Sequence, residues 1–246
     1  MGKIGCGYGS EWHLLRYLGY HRNYLSQKIL NITGGENISW LDFRFSKKYA
    51  YLNNDREHVG IEFIKDRNVI NKWKQFWPQT GTLQNWDAVG KIIYEDHEEW
   101  LLVEAKAHLS EVKSGCGAKS QASKDLIKAA LKKTASAFCE QSPPIENWFS
   151  PYYQYANRLA VLYFLMKECD PDIPARLLFL YFYGDHRDDA QCPQGEDDWC
   201  SIMSAIRNRL VLDRNDDLNK RIHHLFLPVN PLENINNGQS LILRCN

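Results

Sequence analysis

Apolar residues near the start of the chain recur at the spacing of one helical face. They predict a helix from about residue 11 to about residue 30, with Ser10 as its N-cap and Thr33-Gly34-Gly35 as its end. Residues 36–58 are polar and aromatic without a clear period, whereas residues 59–64 alternate as a short strand does. Residues 72–77 have the pattern of a helical turn, which Pro78 ends.

Two β-rich runs, residues 85–94 and 100–106, flank a short charged turn at residues 95–99. This arrangement is typical of a β-hairpin. The second run is almost continuously apolar, as expected of a strand that is covered on both faces. The sequence therefore predicts a hairpin whose second strand is central in a sheet.

Helical periodicity returns further along the chain. It predicts helices at residues 123–138, 152–166 and 199–210, while apolar runs at residues 176–183 and 225–229 predict two strands. The order helix, strand, hairpin, helices, strand indicates an α/β fold with one central sheet. A chain of 246 residues suits a single domain, residues 1–246, with a core at about residues 10–185 and a C-terminal extension at about residues 186–246.

The composition is that of a folded protein, since 44% of the residues are hydrophobic and 13% are aromatic. Thirty basic residues balance thirty acidic ones, so the chain lacks the global positive charge of many nucleic-acid binders. No apolar window has the length of a membrane span, and no signal-peptide pattern is found, so no membrane partner is expected. The seven cysteines form no CxxC pair or disulfide framework, which favours free thiols and a cytoplasmic location.

Three charged residues of the predicted hairpin are candidates for a functional site. With the turn centred near residues 96–97, Asp87 lies roughly opposite Lys106, and Glu104 projects from the same face as Lys106 because side chains alternate along a strand. Cross-strand neighbours have Cβ atoms about 5 Å apart, so two carboxylates and one ammonium group converge. A register slip of one residue would move Asp87 to the other face.

This combination of side chains has a metal-binding and a structural interpretation. Two carboxylates with open coordination positions suit Mg²⁺, which retains waters and binds phosphate oxygens, and Mn²⁺ is expected to substitute for it. Such an ion lowers the pKa of a bound water, and a nearby lysine stabilises charge that develops on a phosphate. The structural interpretation is an aspartate at a strand entry beside a Glu–Lys ion pair, which would need no ion.

Asp87, followed after the hairpin by Glu104-Ala105-Lys106, resembles the motif of the PD-(D/E)XK, or restriction-endonuclease-like, nuclease superfamily. The resemblance covers about residues 11–185 and implies an αβββαβ core, in which a central mixed sheet is flanked by helices. It also implies that Asp87, Glu104 and the Ala105 carbonyl hold Mg²⁺ and that Lys106 is catalytic. Trp86 stands where the motif has proline. Members often add a glutamate from the first helix, and Glu11 is the matching residue here.

Other candidate residues have an equally open structural interpretation. Lys124, Lys128 and Lys132 recur every four residues, which is compatible with a basic ridge that binds phosphates or with a solvated helix face. Gln154 and Arg158 share one side of a predicted helix. The superfamily often places a polar residue on this helix in the site, so the resemblance makes Gln154 a candidate catalytic residue. An aromatic cluster is compatible with base stacking or with core packing: Trp148, Tyr152, Tyr153 and Tyr155.

The sequence thus predicts a Mg²⁺-dependent nuclease that acts on nucleic acid, with DNA as the expected substrate; a homodimer is compatible with it. The first alternative is a non-catalytic nucleic-acid-binding or protein-interaction module with the same fold, which has no need of a complete Asp, Glu and Lys set. The second alternative is a glycosidase with paired carboxylates. The lysine beside Glu104 and the lack of repeated strand–helix units count against it.

Overall fold

A computed structural model of the chain describes residues 9–41, 57–81, 83–141, 143–188, 190–214 and 216–231. In chain order the helices and strands are α1 (Gly9–Tyr20), α2 (Arg22–Thr33), β1 (Asn37–Trp40), β2 (His58–Val59), α3 (Arg67–Phe76), β3 (Asn85–Trp86), β4 (Ala88–Ile93), β5 (Glu98–Lys106), α4 (Gln121–Phe138), α5 (Glu146–Phe149), α6 (Tyr153–Tyr163), β6 (Ala175–Tyr183), α7 (Glu196–Leu210) and β7 (Ile222–Pro228). A π-helical turn, Phe164–Glu168, extends α6.

The centre of the fold is a five-stranded mixed sheet with the order β1-β4-β5-β6-β7. The strand β4 is antiparallel to both of its neighbours, β1 and β5, whereas β5, β6 and β7 run parallel. A separate two-stranded antiparallel sheet joins β2 to β3. The prediction of an α/β fold with a central mixed sheet flanked by helices is therefore confirmed. The strand β7, which lies in the predicted C-terminal extension, is part of this sheet, and the division into core and extension stays a prediction.

Helices cover both faces of the five-stranded sheet, and the alternation of side chains along β5 shows how. Leu101 and Val103 pack in the apolar cluster that contains residues of α1 and α2. Leu102 packs in the cluster that contains residues of α4 and α6. Because side chains two residues apart share a face, Glu104 projects towards the α6 side.

The predicted hairpin is confirmed as β4 and β5, with a register two residues away from the predicted one. Ala88 pairs with Val103, and the turn is closed by Tyr94 N–H donating to His97 O at 2.9 Å, so its centre lies one residue earlier than predicted. A shift of two residues keeps every side chain on its face. Asp87 therefore remains on the same face as Glu104, although it is not directly opposite Lys106.

The N-terminal elements depart from the prediction in three places. The single helix expected at residues 11–30 is two helices, α1 and α2, separated at His21. Ser10 lies inside α1 and its hydroxyl donates to Glu111 Oε1 at 3.0 Å, so it is not the N-cap. The strand predicted at residues 59–64 is mostly turn. The strand β1 was not predicted, and much of the irregular stretch around it, residues 42–56, lies outside the described residues.

Two expectations from the composition can be compared with the structure. Within the described residues, no helix combines the length and the apolar character that crossing a membrane requires. Four cysteines carry free thiols: Cys116, Cys139, Cys169 and Cys192. Cys200, in contrast, is disulfide-bonded, so the expectation of free thiols is wrong for that residue.

Candidate metal-binding active site

Glu104 is the buried centre of the candidate site, with 2% of its surface exposed. It lies near the end of β5, next to β6, and its carboxylate is held by two cations. Lys106 Nζ donates to Glu104 Oε1. Arg158, from α6, donates to Oε2 through Nε at 2.7 Å and lies 2.6 Å from it through Nη2. These three side chains form a buried network that fixes the end of the strand.

Arg158 is itself buried, with 3% exposure, and every nitrogen of its guanidinium has a partner. Besides Glu104, Nη1 donates to Asn157 Oδ1 at 2.8 Å and Nη2 donates to Asn85 O at 2.5 Å. The guanidinium carbon lies 4.8 Å from the ring centroid of Trp86, whose indole N–H donates to Gly60 O at 2.8 Å. Trp86, the departure from the resembled motif, therefore supplies a cation–π contact that helps to hold Arg158.

Asp87 lies between β3 and β4, on the Glu104 side of the sheet. Its N–H donates to Val103 O at 3.1 Å, and its Oδ2 accepts the Ala105 N–H at 2.6 Å. These two bonds place the carboxylate beside the Glu104–Lys106 pair. Burial, followed by repulsion from the Glu104 carboxylate, raises the pKa of Asp87 well above its ordinary value.

Asp87 belongs to a cluster of three carboxylates. Glu11 from α1, Glu57 and Asp87 each offer an oxygen, and these oxygens all lie within 4.8 Å of one another. Glu57 reaches Asp87 through the small sheet, because β2 and β3 pair His58 with Trp86, and the next pair outward in this register is Glu57 with Asp87. Three carboxylate oxygens at such spacing suit a hard divalent cation, which takes oxygen ligands and keeps waters.

The charges of the site are unbalanced among the described residues. Leaving Glu11 out of the count, three carboxylates, Glu57, Asp87 and Glu104, face two cations, Lys106 and Arg158. When these five side chains are ionised, they have one negative charge in excess. Burial and repulsion from Glu11 raise the pKa of Glu57, so that this carboxyl holds its proton more tightly than an isolated one does. A divalent cation would offset this excess.

The two members of the buried ion pair have pKa shifts of the kind that pairing produces. Burial alone would raise the pKa of Glu104, but the charges of Arg158 and Lys106 hold it below its usual value. Burial alone would lower the pKa of Lys106, but Glu104 and then Asp87 hold it above its usual value. Glu104 is thus ionised and Lys106 protonated at neutral pH.

The structure places the remaining predicted residues as follows. Glu11 joins the carboxylate cluster. The Ala105 N–H binds Asp87, and metal binding by the carbonyl of that residue stays a prediction. Gln154 lines a cleft beside Arg158, and its N–H donates to Ser114 Oγ at 2.7 Å. Lys124, Lys128 and Lys132 are exposed on α4, where Lys128 Nζ lies 4.0 Å from Glu146 Oε1.

One residue of the site, Glu57, was missed in the sequence, and another, Arg158, was assigned no role there. Glu57 carries no local signal, because it precedes a strand of only two residues and meets Asp87 through a long-range pairing. Arg158 does have a signal, since it lies within the apolar stripe of α6, three residues after Tyr155 and one before Leu159. A charged residue inside a buried stripe needs a partner, and here the partner is Glu104.

Comparisons of this chain with protein-family models, with curated proteins and with solved structures give no match. The site is therefore interpreted from its own geometry.

Proposed function

We propose that this protein is a divalent-metal-dependent phosphodiester hydrolase that acts on nucleic acid. The observation that carries the proposal is the cluster of Glu11, Glu57 and Asp87 beside the Glu104–Lys106 pair. Three oxygen ligands, an excess of negative charge and a neighbouring ammonium group are what metal-assisted attack on a phosphodiester requires. DNA is the expected substrate and Mg²⁺ the expected ion, with Mn²⁺ as a substitute.

The order of the core elements supports the proposal. A helix pair, the three antiparallel strands β1, β4 and β5, then helices and the parallel strand β6 follow one another along the chain. With β2, α3 and β3 set aside as insertions, this order is compatible with the αβββαβ order that the resemblance to the PD-(D/E)XK nuclease superfamily implies. Asp87, just before the hairpin, and Glu104, in its second strand, are the residues that the resemblance assigns to the motif. The resemblance is one of plan and motif, and the proposed metal ligands differ from those it implies.

The proposed ligands are Glu11, Glu57 and Asp87, because both oxygens of Glu104 are bound by cations. When bound, the ion would lower the pKa of a coordinated water and neutralise a phosphate oxygen. The chain's own residues then orient the reaction. The Ala105 N–H fixes the Asp87 carboxylate. Glu104 positions the Lys106 ammonium group beside the Asp87 carboxylate. Lys106 stabilises the negative charge that develops on the phosphate in the transition state.

The lysines of α4 would supply the phosphate contacts that an acidic site lacks. A polyanion is repelled by the carboxylate cluster, so phosphate contacts elsewhere are needed to bind it. Lys124, Lys128 and Lys132 are exposed on one helix. If all three contact phosphates, changing them together to alanine lowers the steepness of the salt dependence of DNA binding by about one for each lost contact. An unchanged slope would assign these lysines to a solvated helix face.

The test of the proposed function pairs a cleavage assay with a thermal melt. Wild-type protein should cut plasmid or single-stranded DNA in Mg²⁺ and not in EDTA. Lys106→Ala should bind DNA as before and lose a factor of about 10²–10³ in cleavage rate, since it removes one positioned charge that acts in the transition state. Lys220→Ala, at an exposed lysine outside the site, is the matched control.

The same assay distinguishes the competing interpretations. If Lys106 serves only to neutralise Glu104, its loss leaves that buried carboxylate with Arg158 as its remaining cationic partner. The free energy of unfolding then falls by less than about 3–5 kcal/mol, the loss expected for a fully unpaired buried charge, and the rate at which folded protein cuts DNA is unchanged. A well-folded Lys106→Ala protein that cuts at the wild-type rate would contradict the catalytic role. A wild type that binds DNA and cuts under no metal would favour the non-catalytic binding module.

A further inference from the structure

A cleft of about 760 Å³ opens beside the carboxylate cluster. Its walls come from the segment after α3, the glycine-rich segment before α4 and the first turns of α6. Asn85 and Arg158 line the cleft and also belong to the site, since Arg158 holds Glu104 and Asn85 accepts a hydrogen bond from Arg158. A molecule in the cleft therefore lies against a wall of the proposed active site.

The charged groups of the cleft differ from those of the site next to it. No aspartate or glutamate is among its lining residues in the described part of the chain. Lys119 lines it and is exposed, while the charge of Arg158, which also lines it, is paired with Glu104. A phosphate group is therefore accepted in the cleft and repelled by the neighbouring carboxylates until a cation binds there. An anionic substrate would enter from the cleft side.

The remaining lining groups suit a nucleobase. Tyr153, which is half-buried, provides aromatic surface, whereas Trp77 lines the cleft but is buried in the core with 3% exposure. Base–aromatic stacking contributes about 1–3 kcal/mol per base whatever the base is. Gln154 provides a side-chain amide, which can donate to or accept from the polar edges of a base. Asn157 also lines the cleft, and its Oδ1 already accepts from Arg158 Nη1. Aromatic surface, an amide and a lysine together are the groups expected for a nucleotide rather than for an apolar ligand.

The size of the cleft limits which nucleic acid can use it. Its volume falls in the range of small-ligand sites, about 300–1,000 Å³. A base in a duplex is stacked and paired, and it reaches such a cleft only after it leaves the stack. We propose that this cleft binds an unpaired nucleotide of the strand that is cut, so that single-stranded nucleic acid or a frayed end is the preferred substrate. This inference rests on the proposed function.

Glycine positions in the chain allow a matched test of the cleft. Gly117 lines the cleft, and a Cβ atom built there meets no heavy atom within 4 Å. Gly19, exposed near the end of α1, has the same open surroundings. Gly117→Phe would narrow the cleft from a position with room for a Cβ atom, and Gly19→Phe is the control. Lys119→Ala is an independent variant that removes charge and adds no bulk.

The measurement is the affinity for a fluorescent oligothymidylate of about eight nucleotides, in EDTA so that nothing is cut. A blunt hairpin duplex is the competing probe. The wild type should bind the single strand more tightly than the duplex. Gly117→Phe should weaken single-strand binding by about tenfold, as expected for the loss of one stacked base. Lys119→Ala should weaken it less and reduce its salt dependence, and Gly19→Phe should leave it unchanged.

The outcomes separate this inference from the proposed function. No binding of the oligothymidylate, a preference for the duplex, or equal affinities of wild type, Gly117→Phe and Lys119→Ala would overturn the inference. If Mg²⁺-dependent cleavage persists in that case, the proposed function stands without it. If binding depends on the cleft as described but no metal supports cleavage, the binding site stands and the hydrolase proposal fails.

Discussion

The two ends of β5 each carry a buried glutamate between two cations, but the ionisable groups around the two ends differ. Glu99 is 3% exposed and pairs with Arg176 and, at 2.8 Å, with Arg221. Glu104 is 2% exposed and pairs with Lys106 and, at 2.6 Å, with Arg158. In both cases burial would raise the pKa of the glutamate and the two cations hold it below its usual value. Considered alone, the two networks are equivalent.

The surroundings of the two networks differ in the groups that come close to the buried glutamate. Near Glu99, two histidines approach: His97 Nε2 lies 3.6 Å from the carboxylate, and the neutral His223 lies with Nε2 3.1 Å from Arg176 Nη1. Near Glu104, further carboxylates approach instead, and the pKa values of Glu57 and Asp87 are raised by burial and by their neighbours. A buried ion pair is therefore weak evidence for a site. The feature that would favour binding of a metal ion is the group of additional carboxylates near Glu104.

The largest expected effect is on stability, when one cation is removed from each network. Arg158→Met should lower the free energy of unfolding by about 3–5 kcal/mol, because it weakens the pairing of a buried carboxylate in a site already rich in negative charge. Arg221→Met should cost only about 1 kcal/mol, because Arg221 is partly exposed and Arg176 still pairs with Glu99.

Urea unfolding of both variants in EDTA measures this difference. Arg158→Lys keeps the positive charge but lacks the planar guanidinium group. Its free energy of unfolding should therefore lie between those of Arg158→Met and the wild type. Adding Mg²⁺ should stabilise Arg158→Met and leave Arg221→Met without an extra gain over the wild type. Equal losses in the two methionine variants, with equal responses to Mg²⁺, would mean that the two ends of the strand are electrostatically alike.

The next effect concerns the metal response itself. At a free Mg²⁺ concentration of about 100 times Kd, binding should stabilise the wild type by about 2.7 kcal/mol, and the melting temperature should rise accordingly. Glu57→Gln should remove most of this increase, since it removes one proposed ligand and one negative charge. Glu99→Gln is the matched control, because it changes the other end of the strand and should leave the increase intact.

A third variant tells the two possible ligand sets apart. Glu104→Gln should retain most of the Mg²⁺ response if the ion is held by Glu11, Glu57 and Asp87. If Glu104→Gln abolishes the response and Glu57→Gln preserves it, the ligand set is the one that the resemblance to the nuclease superfamily implies. The basal stability of each variant is measured in EDTA, so that the metal-induced increase is separated from the loss of the ion pair.

The sequence predicted those parts of the structure that depend on local periodicity. The hairpin, the long helices and the buried strand β6 each have a period or an apolar run long enough to identify them. The face shared by Asp87 and Glu104 was also predictable, because an error of two residues in register does not change it. The four-residue strand β1 is too short to show a period. The break between α1 and α2 falls at His21, two residues after Gly19, a local signal that the single predicted helix did not take into account.

The part of the site that the sequence did not predict depends on contacts between distant segments. Glu57 meets Asp87 only because β2 pairs with β3, and a two-residue strand leaves no pattern of its own. The partners of Glu99 have the same origin, since Arg176 and Arg221 come from other parts of the chain. The E-x-K motif could therefore be identified in the sequence, whereas the balance of charge around it required the folded structure.

The smallest expected effect is the response of the Glu99 end to acid. Burial, and then the charges of Arg176 and Arg221, lower the pKa of His223 to about 4 in the folded protein, against about 6.5 in the unfolded chain. Between these values the unfolded chain binds a proton that the folded protein does not bind. The stability contributed by neutral His223 is thus fully present above about pH 6.5 and is lost as the pH falls towards 4, by about 2 kcal/mol at pH 5.

His223→Gln should flatten this dependence, because glutamine does not titrate and its carbonyl oxygen can still accept from Arg176 Nη1. Urea unfolding of wild type and variant at pH 7, 6 and 5 gives two curves, and their difference isolates His223 because every other group titrates in both. Acid should act in the opposite sense at the other end of the strand, where the raised pKa values of Glu57 and Asp87 mean that protonation relieves repulsion. Parallel curves for wild type and His223→Gln would show that His223 does not control the acid response of the Glu99 end. The contrast between the two ends would then rest on the carboxylate cluster alone.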